Sequence, residues 1–317
     1  MYSCPHCQSR SVKKHGSYWV RHRRCHVVRY LCRVCSRSFS RQTTAATKYQ
    51  KKSHLNSIIL SLLCEGCSMR AIGRVLSINK NTVIRKFLWL AEHGPKTQEF
   101  SSDSSEIYLD EQETIIHTKL KPATVALVVD GSYNILAAQT GSLPAKGLIK
   151  HISLKKYGYR PCESRKTVSR ALTQALTRLN DLPTVVKSDK KPSYRNIIKK
   201  HLPLATFKTY KSKRSTLKGR YSKKEHDALF AVDQRCAKLR SDIKRLVRRS
   251  WCTTKKIENL QKHLDIYLLY AQGWRPNWKL VSAINFSCSR WAALGVEFQK
   301  RRASRMVVRI GQCSPKG

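Results

Sequence analysis

Acidic residues are scarce in this chain. Of 317 residues, 19 are Asp or Glu against 63 Lys or Arg, a formal net charge of +44. A typical small-molecule metabolic enzyme gains little from such a field, so that class is set aside. A polyanionic partner is expected, and nucleic acid is the commonest one. Long apolar runs are also missing. The best is Ile58-Ile59-Leu60-Ser61-Leu62-Leu63-Cys64, well short of the ~18–20 residues of a membrane span. The N-terminal residues Met1-Tyr2-Ser3-Cys4 lack the apolar stretch of a signal peptide. The expectation is a cytoplasmic, nucleoid-associated protein with no membrane partner. No fixed-period repeat and no long low-complexity tract is evident. Core-forming material is present in ordinary amount, at 41% hydrophobic and 8% aromatic residues, which excludes a disordered basic tail.

Twelve cysteines are spread along this Lys-rich chain, a usage that points to metal ligation and free thiols rather than disulfides. Cys4-Pro5-His6-Cys7 and Cys32-Arg33-Val34-Cys35 are two C-x2-C pairs with 24 residues between them. Such a turn presents two thiolates to one metal, and two turns complete a closed, structural Zn²⁺ tetrahedron. A zinc ribbon is therefore expected. Arg21, Arg23, Arg24 and Arg29, on the intervening hairpin, are candidate DNA phosphate contacts.

Residues 54–64, 69–76 and 80–91 have helical apolar spacing. From Ser68 to Leu88 the chain has a helix-turn-helix pattern. Ser68 suits the cap of the first helix and Asn79 that of the second. Ala71 is small where the helices must approach. Ile72, Leu76, Ile78, Val83 and Phe87 supply the apolar seam. Lys80, Asn81 and Thr82 open the second helix, where they would meet base edges, and Arg85 and Lys86 suit phosphates. Cys64 and Cys67 form a further C-x2-C pair with no second pair nearby.

The few acids are not evenly spread. Residues 1–100 hold 19 Lys/Arg and three acids, whereas 106–140 hold two Lys and five acids: Glu106, Asp110, Glu111, Glu113 and Asp130. Strands are expected at 107–109, 124–129, 135–138, 185–187 and 205–209. Helices are expected at 167–179, 194–201, 226–248 and 254–270, which gives a mixed α/β layer domain. Asp110 and Asp189 each end a strand-like run, and strand-end carboxylates on neighbouring strands can converge. Hard oxygen ligands suit Mg²⁺ or Mn²⁺, and a pair of such ions serves in-line phosphoryl displacement. Asp130-Gly131-Ser132-Tyr133 reads as a hairpin turn.

Leu109-Asp110-Glu111-Gln112, the Ser188-Asp189 step with Tyr194 five residues on, and Leu239-Arg240-Ser241-Asp242-Ile243-Lys244-Arg245-Leu246 resemble the DDE-type transposases of the insertion-sequence-one family. Cys4-Pro5-x-Cys7, Arg29-Tyr30-Leu31-Cys32-x-x-Cys35 and the helix-turn-helix are similar to that family's DNA-binding part, in the same order. The resemblance spans roughly 3–92 and 106–270. It implies a ribonuclease-H-like catalytic domain that cuts and joins double-stranded DNA at element ends, with Mg²⁺ or Mn²⁺ as cofactor and a homodimer or higher oligomer as the active form. The layout implied is a zinc ribbon at 1–45, a helix-turn-helix domain at 46–93, a linker at 94–105, a catalytic domain at 106–273 and a C-terminal extension at 274–317. Asp110 and Asp189 are carried over as the first and second catalytic carboxylates. Asp233 aligns with the third, where the family usually has Glu or, in some branches, Asn. Glu225, Asp227 and Glu258 are its competitors. The shorter acid leaves open a non-catalytic, sequence-specific DNA-binding protein.

Overall fold

The computed structural model describes residues 3–20, 25–43, 45–94, 101–210, 228–247 and 252–274. Arg21, Arg23, Arg24, Glu225, Asp227 and all of the expected C-terminal extension except Trp274 lie outside them.

The first element group is a three-stranded antiparallel sheet of β1 (Val12–Val20), β2 (Cys25–Cys32) and β3 (Ser38–Ser40), in that order. Its core is small: Cys4, Cys32 and Phe39 are buried, with Val12, Tyr30 and Cys35 packed against them. So few apolar side chains cannot stabilise a fold of this size without a staple.

Three helices follow, α1 (Asn56–Cys64), α2 (Met69–Val75) and α3 (Lys80–His93). The two expected caps are in place. Ser68 Oγ accepts from the Ala71 N–H at 3.1 Å, and Asn79 Oδ1 accepts from the Asn81 N–H at 2.8 Å. The turn between them passes through Ser77 at φ 49°. The close approach is made at Gly73 rather than at Ala71: a Cβ at Gly73 would sit 3.0 Å from the Ile78 carbonyl oxygen. Expected seam residues Ile72, Val83 and Phe87 are fully buried, and Leu76 and Ile78 pack beside them.

The larger layer is a five-stranded mixed sheet built from β4 (Glu106–Ile116), β5 (Thr118–Asp130), β6 (Ile135–Ser142), β7 (Val185–Asp189) and β8 (Thr206–Tyr210). The strand order is β6-β5-β4-β7-β8. Strands β4, β5 and β6 form antiparallel hairpins, whereas β7 runs parallel to β4, and β8 parallel to β7. Residues 123–130 of β5 are all buried, the pattern of a strand covered on both faces. One face carries Ile107, Leu109, Ala126 and Val128 and packs on α5 (Ser164–Leu176) and α6 (Pro192–His201). The other carries Val125, Leu127 and Val129 and packs on α7 (Phe230–Asp242) and α8 (Ile257–Ala271). Helix α4 (Ile149–Tyr157) precedes α5 and was not legible as a helix in the sequence.

Strand β6 is a sheet edge, and side chains block it. Gln261 Nε2 donates to the Ala138 carbonyl at 2.9 Å, and its Oε1 accepts from the Thr140 N–H at 2.8 Å. Arg170 and Arg178 donate to the Thr140 and Leu136 carbonyls. With its free backbone groups paired, this edge cannot recruit another strand.

The helical trio shares its core with α8. Buried His263 of α8 donates through Nε2 to the Leu63 carbonyl at 3.1 Å and meets the Phe87 ring edge-on. Burial lowers its pKa to about 3, so it is the neutral imidazole there. Residues 101–105, expected within the linker, are instead held to the sheet layer. Ser102 exchanges backbone hydrogen bonds with Arg178 and Asn180, and its hydroxyl donates to Asp130 at 2.7 Å.

Candidate functional site

The four cysteines of the N-terminal sheet meet. Cys4 and Cys35 sulfurs are 3.6 Å apart, Cys7 and Cys32 3.5 Å, and all four lie within 4.8 Å of one another. Each pair is followed by a residue at positive φ, Gln8 (60°) and Ser36 (54°), which folds the chain back around the sulfurs. Thiolates ~2.3 Å from a tetrahedral Zn²⁺ stand ~3.8 Å from each other, so this donor set fits zinc and could hold it. Backbone N–H groups of Cys35 and Val34 lower the Cys32 thiol to about 6, while burial and the neighbouring sulfurs push Cys7 up to about 12, so only part of the set is poised as the thiolate that metals bind. Cys25 lies outside the cluster.

On α3, Lys80, Asn81 and Arg85 are exposed and Thr82 is partly so. They share the outer surface of the helix. Arg29 on β2 is exposed, its guanidinium 5.4 Å from the Tyr18 ring centroid. Lys86 differs from the expectation of a phosphate contact. It is 2% exposed, and its ammonium donates to Asn56 Oδ1 at 2.7 Å. Helical periodicity turns position 86 inward, beside Val83 and Phe87, and burial lowers its pKa to about 8.

Alternation along β4 divides its acids between two faces. Glu111 points toward α5 and α6. Lys191, Ser164 Oγ (3.0 Å), Tyr194 OH (3.2 Å) and Thr124 Oγ1 (3.1 Å) all donate to it. Asp110 points the opposite way, toward α7. Leu109 registers with Ser188 on the parallel strand β7, so Asp110 and Asp189 occupy the next step on adjacent strands. Cys236 Sγ of α7 donates to Asp110 Oδ2 at 3.7 Å. Asp233 lies one turn before Cys236, in the first turn of α7, and is exposed.

The electrostatics of this corner are distinctive. Burial, then the charge of Asp189 and that of Glu111, push the Asp110 carboxyl above its ordinary range. Burial, Asp110 and Asp233 raise the Cys236 thiol, which stays protonated. The neighbouring acids are neutralised: Glu106 by Lys187, Glu111 by Lys191, Glu113 by Lys146 and Asp242 by Lys238. Among the described residues Asp110 and Asp189 have no such ion pair, nor do Asp130, Glu163 and Asp265, which accept hydrogen bonds instead; Asp189 Oδ1 accepts from the Lys191 N–H at 3.3 Å. Two adjacent like charges left unpaired in so basic a protein fit a divalent cation held by hard oxygens. Asp110, Asp189 and Asp233 do not, however, draw together as tightly as the four sulfurs do. Glu258, the described competitor for the third position, is exposed at the start of α8. Asp130 is fully buried in its turn, accepting from the Asn134 N–H at 2.8 Å.

Sequence reasoning missed Cys236 and the full partnership of Glu111. The first carries no signal beyond its helical spacing from Asp233. The second was hinted at by Tyr194, whose hydroxyl reaches Glu111 rather than Asp189.

No protein-family model matches the chain. The insertion element iso-IS1N protein InsA of Shigella dysenteriae is 34% identical over 82 residues, which are 26% of this chain and 82% of that protein. No helix among the described residues is long and apolar enough to cross a membrane.

Proposed function

The chain belongs to the IS1-related family of insertion-element proteins, and we propose that it is a DDE-type transposase. In this reading residues 1–45 are a zinc ribbon and 46–93 a helix-turn-helix domain, and together they bind the terminal inverted repeats of the element. Arg29, Lys80, Asn81, Thr82 and Arg85 are the described DNA contacts. Residues 106–273 are a ribonuclease-H-like catalytic domain. The strand order β6-β5-β4-β7-β8, with a three-strand meander followed by two parallel strands, supports that assignment.

The observation that carries the catalytic reading is the Asp110–Asp189 couple on adjacent parallel strands, without an ion pair among the described residues. These two carboxylates would hold the metal, with Asp233 reaching in from α7. Bound Mg²⁺ or Mn²⁺ supplies the positive charge that activates an attacking oxygen and stabilises a leaving one. The chain's own contribution is positional. The ladder between β4 and β7 fixes the spacing of the two carboxylates, and the Cys236 thiol orients one oxygen of Asp110. Cutting two element ends and joining them to a target calls for two copies of the chain, so a homodimer or larger assembly is the working form.

The test uses duplexes carrying the terminal repeats. Mg²⁺-dependent nicking and strand transfer by the wild type, lost in Asp110→Asn with end binding intact, supports the proposal. Sequence-specific binding without any nicking in Mg²⁺ or Mn²⁺ favours a second reading, a non-catalytic DNA-binding protein, for which the short, exposed Asp233 is the motive.

A further inference from the structure

Asp110 faces α7, but a basic groove lies behind the sheet. It runs between α5 and α6, encloses about 760 Å³, and is lined by Arg165, Lys166, Arg170, Lys200 and His201. Its single acid, Glu163, is already engaged: Oε2 accepts from the Ser142 N–H at 2.8 Å. Arg170 is partly committed to the Thr140 carbonyl, and His201 to the Ser169 hydroxyl at 2.7 Å. Arg165, Lys166 and Lys200 are exposed, and none is in an ion pair among the described residues.

Helix α6, which forms one wall of this groove, opens with Lys191 at its cap position and Pro192 at N1, and the Lys191 N–H donates to Asp189 Oδ1 at 3.3 Å. Ser193 lines the groove, and its hydroxyl oxygen is buried without a hydrogen-bond partner. Three exposed cations without an ion pair among the described residues suit the oxygens of a phosphate backbone. The groove offers no aromatic platform for an unstacked base.

We propose that the α5–α6 groove seats the phosphate backbone of a second DNA duplex, sequence-independently, while the N-terminal elements hold an element end. The geometry separates the two tasks. Leu109 and Val128 point to the α5–α6 side of the sheet, whereas Asp110 points to α7. A duplex in the groove is therefore not the strand lying on the carboxylates. One end of the groove is lined by Pro192 and Ser193, at the start of α6, which follows β7 and Asp189 in the chain. Joining an end to a target needs two duplexes on one complex, and this surface provides for the second. The charge pattern also excludes a second copy of this face as the occupant, since a two-fold contact would set Arg165, Lys166 and Lys200 against themselves. The inference rests on the function proposed above, whose joining step calls for the second duplex.

The experiment uses the full chain and fluorescence anisotropy. Protein saturated with an end-bearing duplex is titrated with a labelled duplex of unrelated sequence, at several salt concentrations. The triple variant Arg165→Ala/Lys166→Ala/Lys200→Ala changes exposed residues only, and a circular dichroism melt checks that it folds as the wild type does. The expected result is several-fold weaker uptake of the second duplex and a log–log salt slope reduced by about 1 per cation, roughly 3 in all. Affinity for the end-bearing duplex should change by less than about two-fold, because a distant phosphate contact does not touch that interface. A charge-keeping variant, Arg165→Lys/Lys166→Arg/Lys200→Arg, should behave as the wild type. An unchanged slope and affinity in the alanine variant overturns the proposal, as does preferential loss of binding to a polyglutamate probe, which would mark an acidic protein as the occupant. Failure of the wild type to bind end-bearing duplex contradicts the earlier functional reading instead. The second-duplex titration on free protein then still decides the groove.

Discussion

Lys86 shows how one buried charge ties pH to stability. Its unfolded pKa is the ordinary 10.5, and its folded value is about 8. Below pH 8 both states hold the proton, and the cost of burying the ammonium is at its full size. Between 8 and 10.5 the unfolded state binds more proton, so this group's contribution to stability rises with pH. Unfolding free energy measured by urea at pH 7.5 and 9.5 should therefore increase in the wild type by an amount that Lys86→Met abolishes. Glu111 is the converse case, a carboxylate satisfied on all sides. Glu111→Ala strands Lys191 and buried Tyr194, and should cost about 2–3 kcal/mol in the same assay. The inward turn of Lys86 was legible in principle: it lies three residues from Val83 and next to Phe87 on a 3.6-residue period. Its charge masked that reading. The roles of Asp110 and Glu111 were less accessible. Adjacent acids on a strand face opposite ways, and only the tertiary layers say which face is which.

At the scale of elements, capping chemistry was legible because it is local. Ser68 and Asn79 accept from N–H groups two and three residues away, and no distant contact can alter that need. Close packing was not legible, since Ala71 and Gly73 look equally small in a sequence. Gly73→Ala tests the difference. Its new Cβ meets the backbone oxygen of Ile78 at 3.0 Å, which a side-chain rotation cannot relieve. The expected cost is about 1–3 kcal/mol, read as a lower thermal midpoint and weaker end binding, with the β-sheet layer's circular dichroism retained. The expected single helix over 226–248 is broken after Asp242, where Ile243 turns to extended backbone (φ −104°, ψ 100°) and is fully buried. Tertiary burial of Ile243 overrides a helical pattern that continues in the sequence. Helix α4 escaped notice because Leu148, Ile152 and Leu154 are largely exposed and leave no amphipathic stripe to detect.

Over the whole molecule, scarcity of acid turns out to be selective. Four acids on or beside the sheet are paired with lysines, whereas Asp110 and Asp189, side by side on parallel strands, have no ion pair among the described residues. Zinc in the cysteine cluster would divide the molecule's dependence on metals. The N-terminal sheet has three buried core residues, two of them cysteines, so a strong chelator should unfold it and abolish end binding. The α/β layers have their own large cores and should keep their thermal transition after chelation. Calorimetry before and after chelation, with zinc counted by mass spectrometry, checks both expectations. The layer arrangement could be anticipated from alternating strands and helices. The packing of α1 and α3 on α8 could not, because contacts between residues 200 positions apart, such as His263 with Leu63, have no local signature.

The central claim is that Asp110 and Asp189 together make a metal-dependent centre for DNA strand transfer. The most direct measurement is the rate of joining of duplexes carrying the terminal repeats, with Mg²⁺ or Mn²⁺, for the wild type, Asp110→Asn and Asp189→Asn. Both variants keep the side-chain volume and remove the charge. The account predicts joining by the wild type and a loss of at least about 100-fold in each variant, with end binding within two-fold. Joining at the wild-type rate by either variant, or no metal-dependent cleavage by the wild type, would contradict it.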